Sequence, residues 1–419
     1  MKPNIEILAA ALRKILPHME HWNASLQPGT DANSDYAFIL SQVTVGTKDT
    51  DAFHEFIEVL RQDPYFGAFD GGKWGVLPSG GGGTVQLDAV ANHLLARLLN
   101  EGIQPEAILA QFQERVQNEY REFLFVASIL GISVDKPVGL GSGITLMSLD
   151  QVPPSIQRGI ALNQNHPYSI GQRPMTAPRA TAALVIHSNL PTKIVAVSEG
   201  YAAQEKIAPH VAKANETIEE VIDLLAAIHC APAFLHMTWA QPADINYLPD
   251  VGSGWHTSDA AHFRHVPPIP FDQSLLDLFH TYLAKTHSDR QKKFRIPMAR
   301  LNRALSAKAE VDQAIDLGIA LESLLLHDIE QPTELSFRLR LRGANLRGGS
   351  VDERRSAMAK LNELYDLRSK AVHLGVLKPS KGTDPKTLLK DGMAECSHLI
   401  KLLVKSTIEP KNLELMPSQ

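Results

Sequence analysis

The sequence predicts an α+β protein, with a helical and mixed N-terminal region followed by an all-α C-terminal helical bundle. Three observations carry this. Apolar residues recur at helical spacing in residues 50–62 (TDAFHEFIEVLRQ) and 86–130. Short Val- and Ile-rich runs broken by Gly and Pro follow between Phe125 and Leu248. After Lys293 the chain is helical, with one gap at 376–384 (VLKPSKGTD). The expected divisions are a mostly helical region over 1–124, a mixed one over 125–292, the bundle over 293–408 and a tail over 409–419.

In order along the chain, residues 1–28 read as one amphipathic helix. Glu6, Arg13 and Lys14 interrupt its apolar face, so it lacks the core of a secretory signal. Between the next helices lie Asp70-Gly71-Gly72 and the run Ser79-Gly80-Gly81-Gly82-Gly83-Thr84. A phosphate loop would need a Lys-Ser/Thr pair after its last Gly to reach phosphate and magnesium. None follows, and the run reads as a loop. Strands are expected in FVASILGISV (125–134), GITLMSL (143–149), 180–197 and 234–248, with helices near 212–230 and 273–286. The stretches 152–178 and 241–272 read as irregular connections.

Four helices fit the C-terminal region: 298–327, 335–347, 351–374 and 385–405. The third has the clearest ends. Ser350 and Glu353 form a capping box, and Gly375 stands where a C-terminal glycine cap belongs. Inside it Met358, Leu361, Tyr365, Arg368 and Val372 step by three and four, which makes Arg368 the continuation of an apolar stripe. In the first helix Val311, Ile315, Ile319 and Glu322 do the same. A charge on such a stripe needs a partner or a ligand, and two opposite ones suggest a pair, with Arg342 as the fallback partner for Glu322. A purely structural salt bridge is the plain alternative. The second helix is ambiguous: Phe337, Leu339 and Leu341 alternate with Arg338, Arg340 and Arg342 as in a strand, while Leu335, Leu339, Arg342 and Leu346 fit a helix.

Bulk properties bound the function. The 419 residues suggest two or three domains, and 44% hydrophobic with 21% charged residues is ordinary for a globular chain. A net charge of −5 makes the whole chain no trap for nucleic acid. Yet Glu334 to Lys370 holds nine Lys/Arg against five Asp/Glu, a local basic stretch of net +4. Two cysteines, Cys230 and Cys396, are too few for a disulfide scaffold, which fits a reducing cytoplasm. No run approaches 18 uncharged apolar residues, so no membrane span is expected. His262 and His265 are three apart, but no Cys or carboxylate completes a zinc set. No metal or other cofactor is expected.

Residues 363–375 (ELYDLRSKAVHLG) closely resemble the motif helix of the Apea-like HEPN domains. Asp316-Leu317-Gly318-Ile319-Ala320-Leu321-Glu322-Ser323-Leu324 and Glu334-Leu335-Ser336-Phe337-Arg338 match the same family in order and spacing. The resemblance covers about 110 residues. It favours the helical reading of 335–347. It implies a metal-independent endoribonuclease with Arg368, Ser369 and His373 as catalytic residues and Glu322 orienting Arg368. Arg338, Arg342 and Lys370, in the basic stretch, are the expected RNA-binding residues. After the His the family continues with Gly, whereas here Leu374 precedes Gly375.

Positions five apart on a helix differ by roughly 140° around its axis, so Arg368 and His373 do not point alike. Either the helix distorts at its glycine end or two copies share a cleft. The resemblance implies the second, a homodimer through this domain. It further implies an effector of a bacterial defence or toxin system, with the N-terminal region meeting a trigger or regulatory partner. The alternatives are a non-catalytic module binding RNA or a partner protein, and a nucleotide-transfer target or sensor. Arg368 and His373 together favour cleavage, because binding alone does not need the pair.

Overall fold

The computed structural model describes residues 2–21, 45–47, 49–76, 82–118, 120–162, 180–191, 194–243, 255–257, 267–284, 289–329, 333–377, 384–406 and 408–415. It is a mixed α/β chain with a helical C-terminal region. Among these residues no helix is long and apolar enough to cross a membrane.

The first helix, α1 (Ile5–Ile15), starts at Asn4, whose side chain accepts from the Ile7 amide. It stops well short of the expected residue 28. Pro17 enters a single 3-10 turn, and Met19–His21 then runs as strand β1 against β2 (Val45–Thr47). Helix α2 (Thr50–Gln62) has the expected ends and is capped by Asp49. Strands β3 (Lys73–Val76) and β4 (Gly82–Val85) pair antiparallel, so the last glycines of the glycine run belong to a strand; Ser79–Gly81 lie outside the described residues.

The expected helical stretch 86–130 is two helices and a strand. Helix α3 (Leu87–Glu101) ends at Gly102, whose φ of 63° is the left-handed conformation that glycine adopts freely. Helix α4 (Pro105–Gln117) starts on Pro105, and Arg121–Leu130 is β5. Strand β5 lacks alternation in its sequence because both of its faces are covered. Phe123, Phe125, Ala127 and Ile129 enter the main core, while Leu124, Val126 and Leu130 enter a second one.

After the short β6 (Ile132–Ser133) come β7 (Val138–Gly141), β8 (Ile144–Ser148), helix α5 (Ile156–Leu162), β9 (Ala182–Leu190) and β10 (Ile194–Ala196). The 30-residue α6 (Gly200–His229) leads to β11 (Phe234–Pro242), β12 (Trp255–Thr257) and β13 (Ile269–Pro270). Six strands form one antiparallel sheet in the order β12-β11-β5-β9-β8-β7.

Helix α7 (Leu276–Leu283) precedes the bundle, whose first expected helix is two: α8 (Asp289–Ser306) and α9 (Glu310–Leu326). The backbone ladder of α8 ends with the Ala307 amide on Arg303 O, and Gln313 Nε2 then donates to the freed Ala307 O at 2.8 Å. Pro297 sits inside α8 rather than ahead of it. Helices α10 (Leu335–Arg347), α11 (Val351–Leu374) and α12 (Pro385–Lys405) have the expected bounds. Both bonds of the Ser350–Glu353 capping box form, and Gly375, at φ 64°, caps α11. The expected tail is partly folded: Pro410–Leu415 makes 3-10 turns with Leu413 buried, held by Asn345 Nδ2 donating to Leu413 O at 2.7 Å.

The expected division at residue 293 falls inside α8, and one buried core continues from the sheet into the bundle. Asn302 on α8 links the two. It accepts from the Ala233 amide (3.2 Å) and donates to Ala233 O and to Asp223 Oδ1 on α6 (both 2.9 Å). Burial pushes Asp223 up to about 6; the neighbouring Glu219 and Glu220 add to this, while Asn302 and Arg295 oppose it. Between the unfolded value of 3.8 and about 6 the folded protein holds a proton that the unfolded chain has lost. Asp223 therefore makes stability fall as pH rises through this window. Asp223→Asn is expected to remove that slope and to be the more stable protein at pH 8, by about 2–3 kcal/mol. Urea denaturation of both proteins at pH 4 and pH 8 measures the difference. Equal slopes would refute it.

Candidate functional site

The motif helix α11 buries Ala357, Leu361, Leu364, Leu367 and Ala371. This differs from the expected stripe. Leu361 is in the core, but Met358, Tyr365 and Arg368 lie half-buried on its flank, and Val372 is 48% exposed. The same holds on α9, where Ala314, Leu317, Ala320, Leu321, Leu324 and Leu325 are buried, and Val311, Ile315, Ile319 and Glu322 form the half-buried flank. Steps of three and four fit two neighbouring stripes on each helix, and packing selects the more apolar one.

The two flanks meet. Arg368 Nη2 stands 3.4 Å from Glu322 Oε2, with 29% and 26% of the side chains exposed. The expected pairing therefore exists, as a single long contact rather than a fully buried bridge. Burial pushes the Glu322 carboxyl above its ordinary range, and the Arg368 charge only partly offsets this. Arg368 Nε is buried without a hydrogen-bond partner. Solvent does not reach that nitrogen, so a ligand would meet Arg368 only over the 29% of its side chain that is exposed.

Gly318 explains how Arg368 gets there. A methyl group at this mid-helix position of α9 would lie 2.8 Å from Arg368 Cβ and closer still to its Cγ. The arginine stem crosses α9 through the space that glycine leaves open. Gly→Ala inside a helix ordinarily stabilises by about 1 kcal/mol. Gly318→Ala is expected to destabilise the protein instead and to displace Arg368, because the obstructing atoms lie at the base of the side chain. Thermal unfolding of the variant tests this; a raised Tm would show that the stem moves aside freely.

His373 is exposed on the last turn of α11, and Ser369 and Lys370 are half-buried beside Arg368. The helix stays regular to Leu374, with the Gly375 amide donating to Ala371 O at 3.1 Å. No distortion brings Arg368 and His373 together, and they remain roughly 140° apart around the axis. Val372, Leu374 and Val376, next to His373 in the chain, are also close to half exposed or more.

The expected RNA-binding residues divide. Arg342 is 2% exposed and engaged through Nε and Nη1. Its Nη1 donates to Leu325 O (2.7 Å) and Asp328, and its Nε to Glu414 Oε1 (2.6 Å). It is a structural cation rather than a phosphate ligand, and it is no partner of Glu322. Arg338 is half-buried, 4.0 Å from Glu414. Arg340, absent from the expected set, lines an open groove between α10 and α11 with Glu334, Leu335, Ser336, Phe337 and Tyr365. Its signal in the sequence was the arginine alternation of α10. His262 and His265 lie outside the described residues.

The chain matches no family model, no curated protein and no solved structure.

Proposed function

We propose that the chain is a metal-independent endoribonuclease of HEPN type, working as a homodimer and serving as an effector in a bacterial defence or toxin system. One observation carries this reading. Arg368 is held against Glu322 on the facing helix with 29% of its side chain open, five residues before an exposed His373 on the same helix.

The chemistry uses only these side chains. The ribose 2′-hydroxyl attacks the adjacent phosphorus, forming a new O–P bond, and the bond to the 5′-oxygen breaks. The products are a 2′,3′-cyclic phosphate and a 5′-hydroxyl. One proton leaves the attacking hydroxyl and one reaches the leaving oxygen, and His373 moves one of them near neutral pH. Arg368 donates to the phosphate oxygens as charge builds there. Glu322 orients Arg368, and Ser369 positions a phosphate oxygen.

The helix geometry supports a site shared between two copies. On a regular helix Arg368 and His373 face different ways, and the apolar Val372, Leu374 and Val376 give a second copy something to cover. The test is incubation of the full-length protein with mixed transfer and messenger RNA in EDTA. Fragments ending in cyclic phosphate are expected, and uncut RNA would overturn the reading. Sedimentation at micromolar concentration is expected to show a dimer; a monomer alone would refute the shared cleft.

A further inference from the structure

We propose that the groove between α10 and α11 is a subsite for one unpaired nucleotide of an RNA, with the base on Phe337 and Tyr365 and the phosphate on Arg340. The inference rests on the nuclease reading for its substrate class, and it deepens that reading. Phe337 is 46% exposed, although an aromatic side chain on a bundle helix would ordinarily be buried. Neither Phe337 nor Tyr365 stacks on another ring among the described residues. Both line one groove, where Phe337 is open and Tyr365, half-buried against the core, presents its remaining surface. Every base has a π-face, and stacking on protein aromatics is how single strands are commonly held.

Arg340 supplies the charge. Its Nε donates to Ser336 O at 3.0 Å, which fixes the guanidinium plane. Unlike Arg338, Arg342 and Arg347 on the same helix, it has no carboxylate within ion-pair distance among the described residues. Its terminal nitrogens therefore remain for a phosphate. Tyr365 lies three residues before Arg368, roughly 4.5 Å along the helix axis, which puts the groove beside the phosphate that Arg368 would hold.

Glu334, at the start of α10, also lines the groove. This residue sits at φ 54°, a conformation that a non-glycine residue adopts only under constraint, and its carboxylate accepts hydrogen bonds without donating any. A base with adjacent N–H donors suits it, and guanine presents two on one edge. The subsite is thus expected to prefer guanine.

Binding is measured on full-length protein carrying His373→Ala, so that no cleavage step enters. The probe is a labelled nonamer of uridines with G, A or C at its centre, read by fluorescence anisotropy. The G-centred probe is expected to bind best. Phe337→Ala should weaken it roughly 5- to 100-fold, the range for loss of one stacked base. Arg340→Gln should weaken all three probes alike and lower the salt slope by about 1. Glu334→Gln should erase the preference for G. Phe337→Trp should retain binding, and its fluorescence should be quenched by the RNA. Binding by Phe337→Ala and Arg340→Gln as tight as by the parent, or an unquenched Phe337→Trp, would overturn the subsite. The two readings fail separately. If the groove variants lose binding while otherwise native protein cuts nothing in EDTA, the subsite stands and the nuclease falls. If native protein cuts and the groove variants cut at the same rate and positions, the nuclease stands and the subsite falls.

Discussion

His373→Ala is expected to slow RNA cleavage by about 10²–10⁴, the usual worth of a positioned proton-transfer group, with almost no change in stability. The side chain is exposed at a helix end whose cap is made by Gly375, so little native structure depends on it. Arg368→Ala is expected to cost about 10²–10³ in rate, the scale of one lost donor to a developing oxyanion. Its stability cost is intermediate. A fully buried pair would forfeit several kcal/mol and an exposed one almost nothing, and this pair is about a quarter exposed with a single 3.4 Å contact. About 1–2 kcal/mol follows. Product mapping in EDTA at equal folded concentration distinguishes the variants. If His373→Ala cuts as fast as the native chain, His373 moves no proton.

Arg342→Ala is expected to have the largest effect on stability of any substitution in the basic stretch, about 3–5 kcal/mol. The guanidinium is buried, and its removal strands Asp328, Glu414 and the Leu325 carbonyl together. Removing residues 410–419 should cost part of the same amount, since it takes away Glu414 and the buried Leu413. Urea denaturation reads both. A stable Arg342→Ala protein with weakened RNA binding would instead return Arg342 to the RNA surface. The contrast with Arg340, two residues away and free of carboxylates, makes the pair a sensitive test, because one helix turns one arginine inward and its neighbour out.

Features written in local chemistry were legible along the chain. The ends of α2, α11 and α12 were readable because a cap is a contact among a few consecutive residues, as in Ser350 with Glu353 or the turn at Gly375, whereas α10, which no side chain caps at its start, was read as a helix through the family resemblance. Where a strand was buried on both faces, as in β5, periodicity carried no information and the helical reading ran too far. The break between α8 and α9 was hidden because no Gly or Pro marks it; the Gln313 amide takes up the freed Ala307 carbonyl.

The site divides in the same way. That Glu322 and Arg368 would meet followed from two charges set among apolar residues, since neither is stable there without a partner. How deeply they lie did not follow, because two adjacent stripes on each helix satisfy the same steps of three and four. Only the packing of α9 against α11 selected the stripe through Leu361 and Leu364 and left Arg368 on its edge. Gly318 had a place in the sequence but no evident reason until the arginine stem was seen to cross it. That Arg342 shares a helical stripe with Leu335, Leu339 and Leu346 was legible, but its partners Asp328 and Glu414, 14 and 72 residues away in the chain, were not. A stripe shows that a buried charge needs a partner, while the tertiary packing decides which distant carboxylate supplies it.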